Sequence, residues 1–175
     1  MRNEILVEGL QQLKTIFPGV DPCTIGLVVG LSNSYHILYS IMERRYAKTG
    51  VTPQAIDILF VLHLRWPKGC SLAEIGSTTL LSPANVSGLV ERLVRKELVT
   101  REENPADRRK KLVLLTRKGI DFMDYFIPDS ANFLQELFSS IRSEDRQQLQ
   151  EMLFRLSEML IPHWGNYPAT LSKGK

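Results

Sequence analysis

The sequence has too few cysteines to be built on them. Cys23 and Cys70 are the only two in 175 residues, which excludes a disulfide framework and a cysteine-based zinc site. It also lacks a catalytic constellation. No nucleophile–base pair and no glycine-rich phosphate loop is present, so no enzyme is expected. His36 and His63 have no Asp, Glu or Cys cluster at ligand spacing and read as core or surface histidines, with no metal site and no cofactor. The start, MRNEILVEGLQQ, has no signal-peptide apolar core. From Thr24 to Met42 there is no Asp, Glu, Lys or Arg, the one stretch that invites a membrane reading. Ser32, Asn33, Ser34, His36 and Ser40 interrupt it, however, so the expectation is a buried helix and no membrane, in a reduced cytoplasmic protein.

Net charge is only +3, and its distribution says more than its size. From Ser82 to Lys118 there are ten Lys/Arg against five Asp/Glu, and elsewhere twelve against fourteen. The excess of positive charge thus falls in one stretch, as a phosphate-binding surface requires.

That stretch is punctuated. Ser82-Pro83 is a helix start: Ser is a good N-cap, and Pro loses nothing at the first helical position. Val86, Leu89, Val90, Leu93 and Val94 then recur at helical spacing as one apolar stripe. The other face carries Ala84, Asn85, Gly88, Glu91, Arg92 and Arg95. Val99–Glu103 reads as a strand, Asn104-Pro105-Ala106-Asp107 as a turn, Arg108–Lys111 as a cationic run, and Leu112–Leu115 as a second strand. Thr116 caps the following helix. Upstream, Ser71 and Glu74 form a capping box for a short helix to about Thr78. Two short helices joined by about four residues and followed by a basic-tipped hairpin make a winged helix-turn-helix, whose physical use is to grip DNA.

The flanks are helical. Leu6, Leu10, Leu13 and Phe17 mark a helix over 4–17. A second runs over 24–48 with Leu27, Leu31, Tyr35, Leu38 and Met42, closed by Gly50. Thr52-Pro53 starts a third, to about Leu64, followed by a turn at Trp66–Gly69. After Thr116 a helix carries Phe122, Met123, Phe126 and Ile127, with Pro128 expected to kink or restart it. Ser143 caps a final helix carrying Leu149, Met152, Leu153, Leu156, Met159 and Leu160. The fold class is therefore mainly α with a small β-hairpin wing (α+β). The division is N-terminal helices over 1–50, the winged module over 51–118, C-terminal helices over 119–161 and a loose tail over 162–175. A small module core is expected from Ile56, Leu59, Phe60, Leu72, Ile75, Val86, Leu89, Val90 and Leu93. The terminal stripes then need another surface, most simply a second copy.

With these residues in place, the chain resembles the MarR family of bacterial regulators. The resemblance rests on Asp107-x-Arg109 followed by Leu115-Thr116-x-x-Gly119, on Leu81-Ser82-Pro83, and on Leu89-Val90-x-Arg92-Leu93. It implies a homodimer whose first and last helices dimerise. It also implies a repressor that reads a pseudo-palindromic double-stranded operator, is released by a small-molecule effector, and sits with the nucleoid in the cytoplasm. The candidate DNA-binding residues are Ser82, Ala84, Asn85, Ser87, Gly88, Arg92 and Arg95 on the helix, and Asp107, Arg108, Arg109, Lys110 and Lys111 on the wing. Asn85 suits adenine, Arg92 and Arg95 suit phosphates, and Arg109, aimed by Asp107, suits a minor groove. Two departures stand out: Gly88 replaces an Arg common in the family, and Glu97 replaces a Gly at the helix end. Cys23 near the start of a long helix resembles the peroxide-sensing branch, whose cysteine is hydrogen-bonded by tyrosines; Tyr35 and Tyr39 are the candidates here. The alternative readings are an activator or antirepressor, a redox regulator through Cys23, and a winged-helix protein-interaction module. Cys70, in the loop before Ser71, is expected to be inert.

Overall fold

The computed structural model describes residues 9, 12, 16–104 and 107–163, with backbone only for 107–110. The predicted first-helix positions Leu6, Leu10 and Leu13, and the tail beyond His163, lie outside the described residues. The chain divides into two compact units, Met1–Met123 and Asp124–Lys175.

In the first unit, α1 (Pro22–Tyr46) begins where Asp21 accepts the Cys23 backbone N–H at 3.2 Å. A 3₁₀ turn, Ala47–Thr49, follows it and is closed by Gly50 at φ 64°, a left-handed cap that glycine adopts without a Cβ penalty. Next comes α2 (Pro53–Leu64), with Thr52 accepting the Ala55 N–H at 3.4 Å. The two-residue strand β1 (Cys70–Ser71) leads into α3 (Leu72–Thr79), whose capping box is fully formed. Leu80 at φ 55° turns the chain, and α4 (Pro83–Arg95) begins at the Ser82 cap. Strands β2 (Val99–Asn104) and β3 (Asp107–Leu115) complete an antiparallel three-stranded sheet of order β1-β3-β2.

The core of this unit lies between α2, α3, α4 and the sheet. Ile58, Leu59, Ile75, Val86, Val90 and Leu93 are at most 1% exposed. Phe60 and Leu72, expected inside, are only half-buried, whereas Ile58, Leu62, Leu98, Val99, Val113 and Leu115 are core residues. Helix α2 is buried on most of its circumference, so its pattern does not mark one inner face. Cys70 is not a loop residue: it pairs with Val113 and is 2% exposed. A two-residue strand has no periodicity to betray it.

Helix α1 is a correction to the expected buried helix. Leu27 and Val28 are 58% and 61% exposed, and only Tyr46 of the whole helix is buried. Burial needs a covering surface, and among the described residues none lies along most of α1. The helix Pro22–Thr49 contains an 18-residue window of mean hydropathy 1.3 and is long and apolar enough to cross a membrane.

Helix α5 (Arg117–Leu137) starts at Thr116, whose Oγ1 accepts the Gly119 N–H at 3.0 Å, and runs through Pro128 without restarting. The second unit ends with α6 (Ser143–Leu160) and a 3₁₀ turn, Ile161–His163. Ser143 is not the cap. Arg142 occupies that position without a side-chain cap bond, its guanidinium paired instead with Asp145 at 2.8 and 3.0 Å. The apolar stripe of α6 is bare, with Leu149, Met152 and Met159 47%, 57% and 70% exposed.

Candidate nucleic-acid interface

Helix α4 is divided lengthwise. Val86, Leu89, Val90 and Leu93 anchor it in the core. Ser82, Ala84, Asn85, Arg92 and Arg95 are exposed, and Ser87 and Gly88 are half-buried. Val94, assigned to the inner stripe from sequence, is 38% exposed and lies outside it; eight residues from Val86, it has rotated off the buried face. The Ser82 Oγ accepts the Asn85 N–H at 3.4 Å, so this hydroxyl is a cap. Ser87 donates to Glu91 Oε1, also at 3.4 Å, which turns its hydroxyl along the helix. An added Cβ on Gly88 would meet nothing within 4 Å. The fold therefore does not require glycine there.

The end of α4 explains how a non-glycine residue tolerates the position of Glu97. Glu97 adopts φ 60°. Its N–H donates to Val94 O at 2.8 Å and the Leu98 N–H to Leu93 O at 3.0 Å, the paired bonds of a Schellman cap. Thr116 Oγ1 donates to the Glu97 carbonyl at 2.6 Å, and Lys118 Nζ pairs with Glu97 Oε2 at 2.9 Å. The hydrogen bond and charge of Lys118 hold the Glu97 carboxyl below its ordinary range. Gly119 is buried against the same carbonyl run: a Cβ would collide with the Leu98 oxygen. The wing is thereby tied to the end of the helix.

In the wing, β2 and β3 stay in register from Val99↔Leu115 to Glu103↔Lys111, and then Asn104 pairs with Asp107. Arg108, Arg109 and Lys110 occupy the resulting irregularity. Lys111 is exposed. The Asp107–Arg109 contact expected from sequence rests on side chains outside the described residues.

Sequence reasoning passed over Arg101. Its Nε and Nη2 are buried without a hydrogen-bond partner among the described residues, and it lines a shallow depression with Glu91, Val94 and Arg95. Arginine on the inward-turning side of a polar strand is its only sequence signal. The Cys23 grouping is not assembled within the chain. Cys23 is exposed. Tyr35 and Tyr39 lie with ring centroids 5.8 Å apart and planes tilted by 37°, and Tyr35 stands about 18 Å further along the same helix axis from Cys23. Burial and Glu74, against Arg65, push the Cys70 thiol up, which disfavours the reactive thiolate.

Comparison with known proteins agrees with this geometry. The family model described as MarR family matches residues 49–110. The chain is 29% identical over 133 residues to the HTH-type transcriptional regulator MhqR of Bacillus subtilis, covering 76% of this chain and 90% of that protein. It is 31% identical over 126 residues to the HTH-type transcriptional repressor NicR of Pseudomonas putida, covering 69% and 80%. It also superposes on the structure of Bordetella bronchiseptica BpsR, whose DNA binding is regulated by 6-hydroxynicotinic acid. That match has a TM-score of 0.66 and 28% identity, over 73% of this chain and 89% of BpsR.

Proposed function

The chain belongs to the MarR family of DNA-binding transcription regulators, and we propose that it is a homodimeric repressor of a pseudo-palindromic operator, released by a small ligand. The observation that carries this reading is the lengthwise division of α4. Its apolar face is locked in the core, while Asn85, Arg92 and Arg95 are exposed, and the helix packs on β2, whose partner strand β3 carries four consecutive cations. In this arrangement the N-terminal half of α4 meets base edges in a major groove. Arg92 and Arg95 meet phosphates, and Arg109 enters the neighbouring minor groove. The 51–118 module reads DNA, and the bare faces of α1 and α6 pair with those of a second copy in the cytoplasm. The repressor and ligand-release elements are supported by NicR and BpsR.

Binding-site selection on the purified protein tests the reading. A palindromic motif with half-sites about one helical turn apart is expected, with affinity falling steeply as salt rises. Asn85→Ala should change the preferred sequence, whereas Arg95→Ala should weaken all sequences alike. Salt-independent or absent DNA binding would favour a winged-helix module that binds protein instead.

A further inference from the structure

The inner face of the wing ends in an arginine. Side chains alternate along a strand, so Val99, Arg101 and Glu103 of β2 share one face with Leu115, Val113 and Lys111, their opposites on β3. Val99, Val113 and Leu115 are buried, which makes this the core-facing side. Arg101 follows them inward, where α4 packs on β2, and is half-buried. Its Nε and Nη2 have no acceptor among the described residues. These two N–H groups form an edge that a carboxylate can meet with two parallel bonds. A guanidinium cannot shed its proton, and leaving buried donors unpaired costs free energy. One carboxylate lines the same depression, that of Glu91, beside Val94 and Arg95. Among the described residues it accepts only from the Ser87 hydroxyl, at 3.4 Å, well beyond the about 2.5–3.0 Å usual between two oxygens. Glu103, the other acid on the Arg101 face, stands opposite Lys111.

We propose that Arg101 is a positioning residue for DNA reading: its guanidinium takes the Glu91 carboxylate from Ser87 and ties the middle of α4 to the wing. The exchange replaces one long bond with two charge-assisted bonds on a buried edge, and it frees the Ser87 hydroxyl. Ser87 lies in the second turn of α4, within the part that meets base edges, so the use of the exchange rests on the DNA reading above. Bound DNA favours it from two sides. It offers Ser87 a new partner, and its phosphates draw off Arg95, the other cation beside Glu91. The coupling is reciprocal: the Glu91–Arg101 pair favours DNA as DNA favours the pair. A phosphate reaching Arg101 directly is the competing use, and the burial of Nε and Nη2 argues against it.

The Arg101 Nε–H proton reports the pair by NMR on the full chain, assigned as the signal missing from Arg101→Lys. Without DNA, Glu91→Gln should shift this signal; an unchanged signal would overturn the pair. Adding a duplex selected from random-sequence DNA should move the wild-type signal further downfield and slow its exchange with water. The same response in Glu91→Gln, or none in wild type bound to the duplex, would overturn the coupling. Arg101→Lys keeps the charge but loses the fork, and should weaken duplex binding by about tenfold, the value of one charge-assisted bond. In a Ser87→Ala background that loss should vanish, because Arg101 acts through the hydroxyl. The salt slope of Arg101→Met should match wild type. Equal losses in both backgrounds, or a slope lower by about one counterion, would mean a direct phosphate contact and overturn the positioning role. Thermal melts establish folding, and Glu91→Gln, at an exposed position, keeps the test decisive if an Arg101 variant unfolds. A wild type whose signal responds to Glu91→Gln but which binds no duplex would refute the DNA reading and leave the pair standing.

Discussion

Glu97 and Lys118 join the end of α4 to the start of α5 through a 2.9 Å ion pair, around a residue held at φ 60°. The folded carboxyl titrates below its ordinary 4.5, so the pair stabilises the protein above that pH and the contribution is lost as pH falls through the lower, folded value. Wild type should therefore lose more stability than Glu97→Gln between neutral pH and the acid range. The difference should shrink in high salt, because the pair is exposed. Glu97→Gly should be more stable than Glu97→Ala by about 1 kcal/mol, since both lack the carboxylate and only glycine is at ease in the left-handed region. Chemical denaturation across pH, and equal melting of the Gly and Ala variants as the contrary result, decide this.

Gly88 and Gly119 should respond oppositely to alanine. Gly88 faces open space, so Gly88→Ala should stabilise the protein by about 1 kcal/mol through helix propensity. If close approach to DNA is its use, operator affinity should fall at the same time. Gly119→Ala drives a Cβ into the Leu98 carbonyl and should cost about 1–3 kcal/mol or more, as overpacking does. Paired melts with operator titrations read both effects.

In the wing, Arg109→Ala should weaken operator binding by about 1–3 kcal/mol and reduce the salt slope by roughly one counterion. Asp107→Ala should also weaken binding, despite removing a negative charge, if its role is to aim an arginine. Tighter binding by Asp107→Ala would rule that role out.

Assembly should depend on the C-terminal stripe. Leu153 is 39% exposed and shares the bare α6 stripe with Leu149 and Met152. Each apolar side chain of this kind contributes about 1.5–3 kcal/mol when buried. Asp at both Leu153 and Leu156 should give monomers that keep the winged module folded but lose specific DNA binding. Sedimentation showing this double variant still dimeric would refute the arrangement.

Local chemistry was readable from the residue order alone. Thr52-Pro53, Ser71 with Glu74, Ser82-Pro83 and Thr116 each cap the helix they were expected to cap, because capping is a contact across three residues and needs no distant partner. The amphipathic face of α4 was likewise legible, as was the family. Long-range pairing decided the rest. The β1 strand exists only because Val113 lies beside Cys70, Gly119 is required only by the carbonyl of Leu98, and Glu97 can be left-handed in part because Thr116 and Lys118 hold it. The exposure of α1 belongs to the same class. Its sequence specifies an apolar helix, but whether an apolar face is buried depends on a surface that comes from elsewhere in space.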